Sequence, residues 1–232
     1  MISVGFFDTS GASGDHTAAW TPAQGTETFE IIRRRLFQEL DDEGLKAREQ
    51  AVKACLNFYR NNKGDFPTEV SQKTYEAELL AAYPVHPELF RILHNDWGGL
   101  ANFQKTRGVL KMMAQIVYRL WRDQHPHPLI MPGDVPLTDD RVRTNALYPL
   151  PNGYDAVISK EVTGDHSKPA LIETRSASVG RNRAVTRAAT AVFMATSPHG
   201  STNKGFDVAH VRLACAIPGE QPSQFSEALR RF

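Results

Sequence analysis

From Thr21 to Asp123 the apolar residues recur every three or four positions, in blocks set apart by glycine, proline and asparagine. "TPAQGTETFEIIRRRLFQEL" aligns Phe29, Ile32, Leu36 and Leu40 on one helix face, with Thr21 as N-cap and Pro22 at the first helical position. "LKAREQAVKACLNFYRNN" repeats the design with Val52, Cys55, Leu56 and Tyr59, and Gly64 and Pro67 in "NNKGDFP" end it. "SQKTYEAELLAAYP" and "HPELFRILHNDW" predict two further helices, the second starting at Pro87 and aligning Leu89, Phe90, Leu93 and Trp97. The strongest period follows "GGLAN": Val109, Met113, Ile116, Val117, Leu120 and Trp121 share one stripe.

Beyond Asp123 the pattern loosens. "HPHPLIMPGDVPL" is broken by prolines, and up to about Pro169 only short apolar runs such as "AVI" occur, which predicts an irregular connector wrapped over a core. From Gly180 helical periods return in "NRAVTRAATAVFMATS", "DVAHVRLACA" and "SQFSEALRRF". Three short helices joined by tight turns predict a helix-turn-helix-like unit, and a winged helix would need a strand after the third of them. The expected fold is mainly α: a flexible leader or end of a larger core at 1–20, a helical bundle at 21–124, a connector at 125–178 and a three-helix unit at 179–232.

Charge adds one constraint. Lys and Arg number 27 against 26 Asp and Glu, so no global field draws the chain to nucleic acid or a membrane, and any anion site is local. Cys55 and Cys215 both fall in apolar helical patterns and read as buried thiols of a reducing cytoplasm. No run approaches the roughly 18 apolar residues of a membrane span, and "SGASGDHTAAW" lacks the regions of a signal peptide. A cytoplasmic protein without membrane contact is expected.

Enzyme motifs are scarce. The chain holds no G-x-x-x-x-G-K-[ST] loop, G-x-G-x-x-G fingerprint, G-x-S-x-G elbow or H-E-x-x-H pair, so it should not hydrolyse ATP alone. His125 and His127 in "HPHP" are potential metal ligands, but without cysteines or carboxylates at ligand spacing they read as a solvated loop, and no metal is expected. His86, before Pro87, reads as a capping or packing residue. "RRR" at 33–35 turns through about 200° of helix and cannot face one ligand, and Met112 and Met113 read as core filling. Lys105 and Arg107 stand out. They occupy the first turn of the strongest helix, where unpaired N–H groups favour anions over cations, unless a phosphate lies between those groups and the arginine. On residue chemistry alone, a side chain extended into solvent is an equal alternative.

"ETFEIIRRRLF", "KGDFPTEV", "YPVHPELFRIL", "NFQKTRGVLKMMAQIVYRLW", "PLIMPGDVPL" and "VRLACAIPGEQPSQFSEALRRF" together resemble a prokaryotic family of large AAA+ ATPases, domain of unknown function 499, often encoded beside DNA methylases and helicases. The similarity runs from about Trp20 to Phe232. It implies a phosphate-binding loop and a magnesium-binding acidic motif upstream, hence ATP and Mg in the intact parent and no cofactor in this portion. It also implies a helical lid at 21–124, with Arg107 at the nucleotide-sensing "sensor 2" position and Lys105 as the weaker alternative, followed by a winged-helix-like unit cut before its wing. The implied partners are the upstream AAA+ core of the same polypeptide, further copies of the parent and DNA. Arg181, Arg183, Arg187, Arg230 and Arg231 are the candidates for DNA or subunit contacts, with a solvated helix face the alternative for Arg181, Arg183 and Arg187. The competing expectations are a DNA-binding helix-turn-helix module and a protein-interaction scaffold.

Overall fold

The computed structural model describes residues 26–202 and 205–232. The leader at 1–20, its glycines, and the Thr21–Pro22 helix start lie outside them. The described residues form twelve α-helices joined by short 3-10 and π turns, with no strand. The helices are α1 (Thr26–Leu36), α2 (Asp42–Asn61), α3 (Lys73–Ala82), α4 (Pro87–Arg91), α5 (Lys105–Arg122), α6 (Asp140–Leu147), α7 (Tyr154–Val157), α8 (Lys168–Arg175), α9 (Ala177–Gly180), α10 (Ala184–Thr196), α11 (Val208–Cys215) and α12 (Ser223–Arg231). The mainly α expectation holds. Among the described residues no helix is long and apolar enough to cross a membrane.

Local chemistry accounts for several boundaries. Asp41 caps α2 by accepting from the Gly44 N–H at 2.8 Å, Asp139 caps α6 through the N–H groups of Arg141 and Val142, and Asp207 caps α11 through that of His210. The capping role of His86 is also as expected: its Nδ1 accepts from the Glu88 N–H, with Pro87 in the first turn. The helix begun at Pro87 gives way at Ile92–Asp96 to a π turn, which leaves Leu89, Phe90, Leu93 and Trp97 all in the core. Trp97 donates its indole N–H to the Met194 carbonyl at 2.7 Å, so the burial leaves no orphan donor.

Two groups of buried side chains fill the interior. One gathers Phe29, Ile32, Phe90, Trp97, Met112, Met113 and Ile116; the other gathers Tyr59, Tyr75, Leu79, Val211, Leu213 and Phe225. Helix α10 belongs to both. Phe193 and Met194 enter the first group, Val185, Ala188 and Ala191 the second, and every residue from Ala184 to Ala191 is buried. Its alanines let neighbouring helices approach from all sides. Neither group is confined to 21–124 or to 179–232, since α2 and α3 share the second with α11 and α12.

The segment 125–178 departs from the connector expected there. It carries α6, α7 and α8 and places Leu129, Met131, Val142 and Ile158 inside. Its helices are too short to show a period, and its prolines mark turns within a packed region. Trp121 is the exception to the α5 stripe, being 50% exposed at its edge. Cys55 and Cys215 are buried free thiols, and burial pushes the Cys55 thiol up to about 12.

Candidate functional site

Helix α5 starts in an unusual way. Gln104 (φ 62°) and Lys105 (φ 44°) both adopt left-handed backbone conformations, no side chain caps the first turn, and no acidic residue lies in it. The Phe103 carbonyl folds over this turn so closely that a Cβ on Gly108 would lie 1.7 Å from its oxygen. Only glycine fits. In the sequence alone Gly108 carries no such signal, because a lone glycine early in a helix has none of its own.

Arg107 is exposed and has no ion-pair partner among the described residues. With Lys111, Asn102, Thr144, Asn145 and Tyr148 it lines a surface pocket of about 450 Å³ between α5 and α6. Asn145 is fixed there by donating its amide to Gln115 Oε1 at 2.6 Å. Lys105 is exposed as well but does not line this pocket. The residue that joins Arg107 is Lys111, four positions along the same helix face. Two cations, side-chain amide donors and an uncapped helix start together present a face suited to an anion.

The second arginine group divides. Arg181 and Arg183 are exposed at the rim of a polar cavity of about 490 Å³ that also touches His125, His127, Asp134, Thr186 and Glu220. Arg187 is turned inward, contrary to its expected place among DNA or subunit contacts, with its side chain 7% exposed. Its Nη1 donates to Glu220 Oε1 at 2.7 Å, its Nη2 to the Cys215 carbonyl, its Nε lies 3.6 Å from Asp134 Oδ1, and its guanidinium stacks 5.1 Å from the Phe225 ring centre. This is a buried ion-pair network, and Arg187 is unavailable to an outside partner. Arg231 pairs with Glu227 on the surface of α12, while Arg230 is exposed without an ion-pair partner among the described residues.

His125 and His127 are not in a solvated loop. Helix α5 ends with Gln124 in a left-handed conformation (φ 51°), the His125 N–H returning to the Leu120 carbonyl and the Gln124 N–H to that of Trp121. This turn aims His125 back at the body of the protein. Pro126 and Pro128 stiffen the next residues, and Ile130 pairs with the chain at 84–86 through its N–H to the Pro84 carbonyl and its carbonyl to the His86 N–H. The turn Pro132–Asp134 then brings in the Asp134 carboxylate, whose Oδ2 accepts from the Met131 N–H at 3.0 Å. At Gly133 a Cβ would lie 2.9 Å from both the Arg187 carbonyl oxygen and Cys215 Sγ, so glycine allows the turn to sit against α10. His125 Nε2 and His127 Nδ1 lie 3.2 and 3.1 Å from Asp134 Oδ2. Burial alone would raise the Asp134 pKa; contacts from His125, His127 and Arg187 outweigh it and hold the carboxyl well below the usual range.

A family model described as DUF499 second domain matches residues 23–222. The chain belongs to the DUF499 family. No curated protein and no solved structure matches it. The matched part of this DUF499 second domain contains Lys105, Arg107, His125, His127, Asp134, Arg181, Arg183 and Arg187, whereas Arg230 and Arg231 lie past its end.

Proposed function

We propose that this DUF499 domain is the nucleotide-responsive helical part of a larger DNA-associated AAA+ ATPase, acting as its lid, with Arg107 reaching a phosphate bound mainly by another part of the parent. ATP and Mg belong to that other part, and this chain does not hydrolyse ATP alone. The observation that carries the reading is Arg107 itself: exposed, without an ion-pair partner among the described residues, at an uncapped helix start, and sharing a pocket with Lys111. An exposed cation at the positive end of a helix gains little from its own fold, and a bound phosphate would reverse that balance. A DNA-contact reading draws less support, because Arg187 is committed internally and Arg231 is paired with Glu227.

The test is Arg107→Ala in the full-length parent. An exposed arginine replaced by alanine changes stability by less than about 0.5 kcal/mol. Loss of a charge-assisted contact to phosphate removes about 1.5–3 kcal/mol, a roughly tenfold to hundredfold fall in turnover if the contact forms mainly in the transition state. Arg107→Lys should restore part of it, keeping the charge without the planar fork. Normal turnover per folded molecule alongside a strongly lowered melting temperature would make Arg107 structural and end the assignment.

A further inference from the structure

We propose that His125, His127 and Asp134 bind one divalent transition-metal ion, with zinc the best match to the donor set, at a site that shares no residue with the surface around Arg107. The three side chains each offer a ligand atom within 4.8 Å of the other two. A tetrahedral ion with bonds of about 2.0–2.1 Å holds neighbouring ligand atoms about 3.3 Å apart. The His125 and His127 nitrogens, at 3.2 and 3.1 Å from Asp134 Oδ2, are already near that spacing.

His125 Nε2 carries the argument. It is buried and has no hydrogen-bond partner despite lying 3.2 Å from a carboxylate oxygen, because the contact lacks hydrogen-bond alignment. A buried orphan nitrogen beside a carboxylate calls for a reason, and an ion between the two supplies one. The support expected around a metal site is present as well. Asp134 Oδ2 is held by the Met131 N–H, Oδ1 faces Arg187, and the Asp134 side chain is only 1% exposed. The positive charge of Arg187 is balanced by Glu220 at 2.7 Å, so it does not bar a cation. Two imidazoles and a carboxylate select zinc and its first-row neighbours over magnesium or calcium, which prefer all-oxygen shells. The polar cavity alongside leaves room for water or an exogenous ligand in the remaining positions.

The untagged, chelator-treated chain should take up one Zn²⁺ per molecule in competition with a chromophoric chelator, and Co²⁺ should give the visible absorption of a low-coordinate site. His125→Ala and His127→Ala should each weaken zinc binding by more than the about 10–100-fold typical of losing an outer-shell partner. The exposed His166→Ala should leave it unchanged. Should either site variant fail to fold, histidine side-chain NMR of the wild-type chain gives the answer: zinc should shift two of the eight imidazoles and leave the other six in place. No zinc retained by the folded chain, affinity preserved in the double variant, or shifts spread over other histidines would each overturn the proposal.

Discussion

His86 should make the fold acid-sensitive well above the range where carboxylates titrate. Its ring is fully buried, with Nε2 3.0 Å from the Tyr59 hydroxyl and 3.3 Å from that of Tyr75. The Glu88 N–H, which can only donate, points at Nδ1 from 3.2 Å, so Nδ1 is bare and the ring neutral. Burial, then the nearby Arg91 charge, lower the His86 pKa from 6.5 to about 3, with Asp134 opposing. Below about 6.5 the unfolded chain therefore takes up a proton that the folded chain refuses until about 3. Stability falls with pH across that window by about 1.4 kcal/mol per unit, at most about 5 kcal/mol in all, which is comparable to the whole stability of many domains. Urea unfolding of the chelated protein from about pH 7.5 down to about pH 4.5 measures this. His86→Gln keeps an acceptor for the Glu88 N–H but cannot titrate. It should be less stable at neutral pH and less pH-dependent by about one proton between about pH 6 and pH 4. The Glu88 carboxyl, raised by its own burial, contributes with the opposite sign, but it is present in both proteins and largely cancels in the difference. Parallel pH profiles for the two proteins would refute the neutral, bare-Nδ1 assignment.

Two further substitutions test how the sites are held. Gly108→Ala should destabilise by about 1–3 kcal/mol through the clash with the Phe103 carbonyl, despite the roughly 1 kcal/mol helix preference of alanine; an unchanged urea midpoint would mean that the first turn of α5 relaxes freely. Glu173→Ala removes the carboxylate that accepts from Thr186 N–H at 2.7 Å and Thr186 Oγ1 at 2.9 Å, and should cost about 1–2 kcal/mol. Amide exchange should quicken first at the start of α10, and uniform exchange along the chain would contradict the capping role.

The long amphipathic helices were legible because their period outlasts local noise: Val52, Cys55, Leu56 and Tyr59 on α2, and Val109, Met113 and Ile116 on α5, lie where their spacing puts them. What escaped was long-range. Helices α6, α7 and α8 have eight residues or fewer, too few for a period, and their caps Asp139 and Ser167 sit among other polar residues. Arg187 reads as a surface charge until Asp134 and Glu220, far away in sequence, fold against it. The carboxylate missing beside "HPHP" stands seven residues beyond His127, past two more prolines, where ligand spacing gives no warning. At the start of α5, Arg107 stands out in the sequence by its clash with the helix dipole, with Lys105 as its expected companion, whereas the residue that shares its pocket is Lys111.

Helix α5 has eighteen residues, so it is a rod of about 27 Å. Arg107 rides on its first turn and His125 on the residue that closes its last. A rod pivoting about one end magnifies angle into distance: a tilt of about 5° carries the far tip about 2 Å. Donor atoms around a metal tolerate only about 0.2 Å. A tilt of α5 about its Arg107 end by that angle would carry the His125 imidazole through many times that tolerance, whereas a tilt about its His125 end would move Arg107 and leave the imidazole in place.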